Sequence, residues 1–245
     1  METLRLFRKE FGRNLIRLRN NMNKSDFDEI EWIFFDLGGV LIDESLAMKI
    51  RKEADSKIIQ SFGTDISLSD LEEKWTSEAS GMKGDLDENI FSIFLKDESL
   101  VAEALEKLKE EKKNWPPHEQ RNIVKKEAKE ILEKLAQTFK LGIIANQPVF
   151  IRQMLEDAKI VEYFSSLGIS NEYNLHKPDT EFFKKVLADC GADAKKSMFV
   201  DDNIQRGILP ARALGFTTIW FNNGSKEVSV ENYDFEIRSL GELLS

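Results

Sequence analysis

Asp36 closes an apolar run, Trp32-Ile33-Phe34-Phe35, and is followed at once by Leu37-Gly38-Gly39-Val40. Bulky residues ahead of a carboxylate and two glycines behind it read as a buried strand delivering an acid to a tight turn. In an open α/β sheet that is a usual address for chemistry, because ligands bind beyond the carboxyl ends of parallel strands. A local reading competes with it, since an Asp after a strand also serves as an N-cap or Asx-turn residue. Two further apolar runs end in polar side chains: Leu141-Gly142-Ile143-Ile144-Ala145 in Asn146, and Met198-Phe199-Val200 in Asp201-Asp202. In one parallel sheet, Asp36, Asn146 and the Asp201-Asp202 pair would meet along one edge.

The elements that must position these residues follow from periodicity. Strand patterns at 141–145, 166–170, 197–200 and 217–221 are separated by helical stretches such as Asp179 to Asp189 and Gly207 to Leu214. Alternation of this kind predicts a parallel sheet with right-handed crossovers. Between the first strand and the second, residues 44–140 read as helical almost throughout, with Leu71, Trp75 and Ala79 on one face and Ile131, Leu132 and Leu135 on another. The sequence therefore divides into an α/β core over 31–43 and 141–245, a helical insertion over 44–140, and a distinct leading segment over 1–30.

Residues 1–24 carry seven Lys and Arg against two Glu in a chain whose net charge is -9. Leu4, Phe7, Phe11, Leu15 and Leu18 recur at helical spacing, the pattern of a basic amphipathic helix. Three readings stay open: a helix docked on the domain, a helix that contacts a membrane surface or a partner, and an extension upstream of a later start such as Met22.

Composition excludes several classes. With 32% charged and 41% hydrophobic residues the 245-residue chain is globular. Its acidic balance opposes non-specific binding to nucleic acid, whose phosphates it would repel. A single cysteine, Cys190, rules out an internal disulfide framework and fits a cytoplasmic setting. Cys190 precedes Gly191 at an expected helix end, which marks it as a packed thiol rather than a nucleophile. No apolar stretch has the length of a transmembrane segment.

The order of segments resembles the haloacid dehalogenase-like (HAD) superfamily over about residues 31 to 245. The matching pieces are Phe34-Phe35-Asp36-Leu37-Gly38-Gly39-Val40-Leu41, Ile143-Ile144-Ala145-Asn146, Leu175-His176-Lys177-Pro178-Asp179, and Met198-Phe199-Val200-Asp201-Asp202-Asn203. The resemblance implies a Rossmann-like three-layer α/β core with a parallel sheet plus an all-helical cap domain. It implies Asp36 as a nucleophile that takes up a phosphoryl group, splitting one difficult displacement into two easier ones. Lys177 is the implied cation, holding both nucleophile and phosphoryl oxygens. Mg²⁺ is the implied cofactor, held by Asp36, the backbone carbonyl of Gly38 and Asp202; this alignment puts Asp201 where the family often has Gly, and the neighbouring Asp201 is the alternative metal-binding acid.

Three departures accompany the match. Gly38 stands where the family's phosphatases carry a second Asp, the general acid and base, a loss of help worth about 10²–10⁴-fold in rate. Asp43 and His176 are candidates for its part by their nearness to the motifs, and each also reads as an ordinary turn or surface residue. Ala145 replaces the Ser or Thr that binds a phosphoryl oxygen, leaving Asn146 as the expected donor. Gly207 replaces a later Asp and thins the carboxylate cluster. The expected function is a Mg²⁺-dependent phosphatase acting on a small phosphorylated metabolite, as monomer or dimer. Alternatives are a catalytically weak or inactive relative that binds a ligand or partner, and a haloacid dehalogenase, which needs neither Mg²⁺ nor the second Asp.

Overall fold

The computed structural model describes residues 29–81, 86–224 and 232–244. The basic leading helix expected over 1–30 therefore lies almost entirely outside the described residues. The chain divides into two compact units, one formed by residues 1–43 and 124–245 and the other by Glu44–Ile123.

The first unit is built on a parallel six-stranded sheet. In chain order its strands are β1 (Trp32–Phe35), β4 (Lys140–Ala145), β5 (Phe164–Ile169), β6 (Ser197–Asp201), β7 (Thr217–Phe221) and β8 (Phe235–Ile237). Two short strands, β2 (Ile42–Asp43) and β3 (Ile123–Val124), pair separately. Spatial order in the large sheet is β5-β4-β1-β6-β7-β8. β1 thus lies between β4 and β6, with Phe35 opposite both Ile143 and Val200. The chain leaves β1 for one side of the sheet and later crosses to the other, so the crevice at the carboxyl end of β1 is the topological switch point.

All four β1 side chains are buried, which is what a strand covered on both faces requires. Ile33 and Phe35 pack on one face with Ile131, Leu132, Leu135, Leu141 and Ile143. Trp32 and Phe34 pack on the other with Phe182, Phe183, Val186 and Phe216. Helix–sheet–helix layering around one strand is the expected Rossmann-like architecture. β8 is an addition to the strands expected from sequence. Its three residues are too short for a periodic signal, and pairing with β7 creates it.

The helical expectation over 44–140 needs two corrections, of which the first is the short strand β3 at Ile123–Val124. Helix α5 (Ala128–Ala136) belongs to the sheet unit, because Ile131, Leu132, Leu135 and Phe139 join the buried cluster around β1 and β4. Periodicity reveals an apolar stripe but not what the stripe faces. The second unit is formed by α1 (Ser45–Ser61), α2 (Leu68–Gly81), α3 (Leu86–Leu95) and α4 (Glu98–Lys112) around its own core of Ile59, Leu71, Trp75, Ile90, Phe91 and Ala104. Asp97 caps α4 by accepting from the amides of Ser99 and Leu100. In the sheet unit, α6 (Ile151–Asp157), α7 (Thr180–Cys190) and α8 (Leu209–Ala213) complete the layers. α7 ends on Gly191 with φ 68°, and the Cys190 thiol is half-buried against Leu187, the packed role expected of it. No helix among the described residues is long and apolar enough to cross a membrane.

Candidate functional site

Asp36 extends β1 by one residue, its amide donating to the carbonyl of Val200 at 2.9 Å. Its carboxylate is buried and lies 2.9 Å from the Lys177 ammonium. Lys177 is 1% exposed, and its Nζ also donates to Asp201 Oδ2 at 2.6 Å. Its ammonium sits over the Phe199 ring, 5.4 Å from the centroid. Asp202 follows at the end of β6, half-buried, its carbonyl accepting from the Trp220 indole at 3.1 Å. Oxygens of Asp36, Asp201 and Asp202 all lie within 4.8 Å of one another.

These groups disturb one another's protonation. Burial, the Asp201 charge and the Asp36 charge raise the Asp202 carboxyl to about 8, against the opposing pull of Lys177 and Arg206. Burial raises Asp201 to about 6 even though Lys177 pulls it down. Burial also works against the Lys177 ammonium, but Asp201 and Asp36 outweigh it and hold Lys177 above its ordinary value. Two carboxylates paired with one ammonium, and a third beside them, leave surplus negative charge in a small volume. Such a cluster is relieved by a hard cation with oxygen ligands, and this donor set fits Mg²⁺.

Of the residues expected at the site, Asp36, Lys177 and Asp202 are brought together, and Gly38 lies in the turn directly after Asp36. Asn146 has a further part, beyond the one expected of it. Its Oδ1 accepts from the Lys177 amide at 2.8 Å and its Nδ2 donates to the Lys177 carbonyl at 2.9 Å. That reciprocal pair holds the backbone of Lys177, so Asn146 positions the cation, while one of its two amide N–H donors is left over by these bonds. Asp43 and His176 are both exposed and outside the carboxylate cluster.

Asp201 is the residue that sequence reasoning undervalued. The expectation of a thinned cluster at Gly207 also needs correction. A Cβ on Gly207 would lie 2.0 Å from Asp201 Oδ2 and 2.2 Å from its Cγ. The Asp201 carboxylate thus fills the volume that a side chain at 207 would take. A π-helical turn, Ile204–Ile208, brings the two positions together through bonds from the amides of Gly207 and Ile208 to the Asn203 carbonyl. The signal was present as a pair: an acid where Gly is common, six residues before a Gly where an acid is common.

The turn after Asp36 is held from three directions. Leu41 and Ile42 donate their amides to the Leu37 carbonyl, and Gly39 donates to Ile42 at 2.9 Å. The Gly39 carbonyl accepts from Lys125 Nζ at 2.6 Å and from Asn223 Nδ2 at 3.0 Å. Gly39 has φ +73°, and a Cβ there would lie 2.1 Å from Asp202 Oδ2. Only glycine meets both demands. Burial pushes the half-buried Lys125 ammonium below its ordinary value against the pull of Glu127, Asp202 and Asp43. Neither Lys125 nor Asn223 carried a sequence signal, since both come from distant segments.

The family model for haloacid dehalogenase-like hydrolases matches residues 33–221. Glyceraldehyde 3-phosphate phosphatase of Methanocaldococcus jannaschii is 34% identical over 120 residues, 47% of this chain and 52% of that protein. Phosphoserine phosphatase of Thermus thermophilus is 31% identical over 85 residues, 34% of each chain. The chain spans about half the length, or less, of these curated relatives. Among solved structures, a HAD phosphatase from Thermococcus onnurineus shares the fold with a TM-score of 0.61, 23% identity, and coverage of 87% of this chain and 96% of that one.

Proposed function

Because the chain belongs to the haloacid dehalogenase-like hydrolase family, we propose that it is a Mg²⁺-dependent phosphatase acting on a small phosphomonoester through Asp36. The observation that carries this reading is the buried Asp36–Lys177–Asp201 chain of contacts beside Asp202. A nucleophilic carboxylate needs to be aimed, and the Lys177 ammonium at 2.9 Å holds it. The named phosphatases among the relatives point to a phosphorylated metabolite as substrate. The cytoplasmic setting we propose suits the unpaired Cys190 thiol.

Asp36, the Gly38 carbonyl and Asp202 would hold the cation. When bound, Mg²⁺ would neutralise phosphoryl charge and surplus carboxylate charge together. A carboxylate oxygen of Asp36 attacks phosphorus, the bond to the leaving oxygen breaks, and an aspartyl-phosphate forms. The leaving oxygen takes a proton from solvent; water then attacks phosphorus and gives a proton back to solvent, the bond to Asp36 breaks, and inorganic phosphate leaves. Lys177 stays within reach of Asp36 throughout and balances the negative charge. Asn146 keeps the Lys177 backbone in place, and Asp201 keeps its ammonium in place.

Gly38 supports a second reading, a slow or inactive relative with a binding role, because the turn offers no side chain to protonate the leaving group. Retention of a buried nucleophile against a buried lysine favours the enzyme. The carboxylate cluster also weighs against carbon–halogen cleavage, since three acids without a cation repel one another. Hydrolysis of an aryl phosphate, with and without Mg²⁺, tests the proposal. Metal-dependent turnover that disappears in Asp36→Asn supports it; equal rates in parent and variant would sink it.

A further inference from the structure

We propose that Lys125 is a positioning residue for the cation site, acting with Asn223 as a clasp on the Gly39 carbonyl that fixes the direction of the Gly38 carbonyl. The inference rests on the proposed cation role of Gly38 and Asp202. It starts from a planar peptide. The Gly38 carbonyl and the Gly39 amide lie in one plane and point in opposite directions. Since the Gly39 amide is committed to the Ile42 carbonyl at 2.9 Å, the Gly38 carbonyl is aimed away from Ile42.

That plane could still swing about the Gly39 backbone, because glycine has wide φ freedom. The next plane along prevents it. The Gly39 carbonyl accepts from Lys125 Nζ at 2.6 Å and from Asn223 Nδ2 at 3.0 Å. Each donor is anchored in its turn. The Lys125 amide donates to the Leu41 carbonyl at 2.9 Å, and its ammonium lies over the Phe221 ring, 4.4 Å from the centroid. Asn223 also reaches Asp202 Oδ2 at 3.4 Å, which ties the turn to the cluster. The clasp thus joins the segment after β1, the segment after β3, and the ends of β6 and β7.

Positioning and electrostatics predict opposite signs. Lys125 is a cation in the field of Asp202, so its charge alone opposes a divalent ion, and removing that charge alone would tighten binding. Losing the clasp instead weakens binding, since groups that orient a ligand typically contribute about 10–100-fold in affinity. The experiment is titration of the metal-free full chain with Mn²⁺, free Mn²⁺ being read by electron paramagnetic resonance, for the parent and for Lys125→Met, Asn223→Ala and Asp202→Asn. About tenfold weaker binding in both Lys125→Met and Asn223→Ala supports the clasp. Unchanged or tighter binding in Lys125→Met overturns it. Asn223 is exposed, so its variant keeps the test decisive if Lys125→Met fails to fold: unchanged Mn²⁺ affinity there overturns the clasp equally. Full Mn²⁺ affinity in Asp202→Asn would instead bring down the cation reading itself, and the clasp with it.

Discussion

Two groups of buried acids, one in each unit, share ingredients and differ in arrangement. In the helical unit, Asp87 is paired with both Arg51 and Lys112, while Asp55 accepts from the Trp75 indole at 3.3 Å. Each acid there has its own partners, and the cations lie outside on half-buried or exposed stems. In the sheet unit, Asp36, Asp201 and Asp202 crowd one volume around the ammonium of Lys177. In the first arrangement two cations neutralise Asp87, while burial favours the neutral form of Asp55 against the pull of its indole hydrogen bond, and the pair reads as structure. The second gathers more carboxylates at the switch point of the sheet than its paired ammonium cancels, and that surplus is what the proposed cation would relieve.

The largest expected effect breaks the second arrangement. Lys177→Met strands the two buried carboxylates of Asp36 and Asp201, and breaking a buried pair in this way costs about 3–5 kcal/mol. Chemical denaturation of the metal-free protein at neutral pH should show that loss, with Mg²⁺ restoring part of it. A stability equal to the parent's would mean that the cluster is solvated well enough to need no cation.

The next effect sharpens the contrast from the other side. Burial raises Asp55 from 3.8 to about 6, although Arg51 opposes the shift. A carboxyl raised by folding adds stability that is complete below its unfolded value and is lost as pH rises through its folded one. Ionisation of Asp55 should therefore cost up to about 3 kcal/mol between pH 4 and 7. Asp55→Asn should flatten this part of the stability profile and be more stable than the parent at pH 7. Parallel profiles for parent and variant would show that Asp55 stays neutral or finds water.

The smallest and most specific effect concerns Asp201 and Gly207. Gly207→Asp alone collides with the Asp201 carboxylate, and Asp201→Gly alone takes from Lys177 its closest partner. Together the two changes move one carboxylate between neighbouring backbone positions. Stability of the double variant should exceed the sum of the single effects by about 1–2 kcal/mol, within the usual range for contacting residues. Strict additivity would show that the shared volume does not matter.

Much of the core was readable from local pattern. Trp32 to Phe35 form a doubly buried strand because they are uniformly apolar, and Asp36 follows because the glycines after it force a turn. Lys177 and Asp202 were placed by their motif neighbours. Other features depended on contacts between distant segments. Whether α5 packs on the sheet or with the preceding helices is invisible to a helical period, and Asn146 looked like a free amide until the Lys177 backbone came beside it. The roles of Lys125 and Asn223 arise only where the segment after β3 and the end of β7 meet the turn after β1.

By itself the sequence determined the strand–helix alternation, the acid at the end of the first strand and the glycines behind it, since steric and hydrophobic preferences act over a few residues. Tertiary structure decided the charge balance of the site, because electrostatic coupling and steric exclusion act across space regardless of chain distance. That is why a carboxylate at 201 can stand in the volume of a side chain at 207, and why Lys125 can hold a glycine carbonyl 86 residues away.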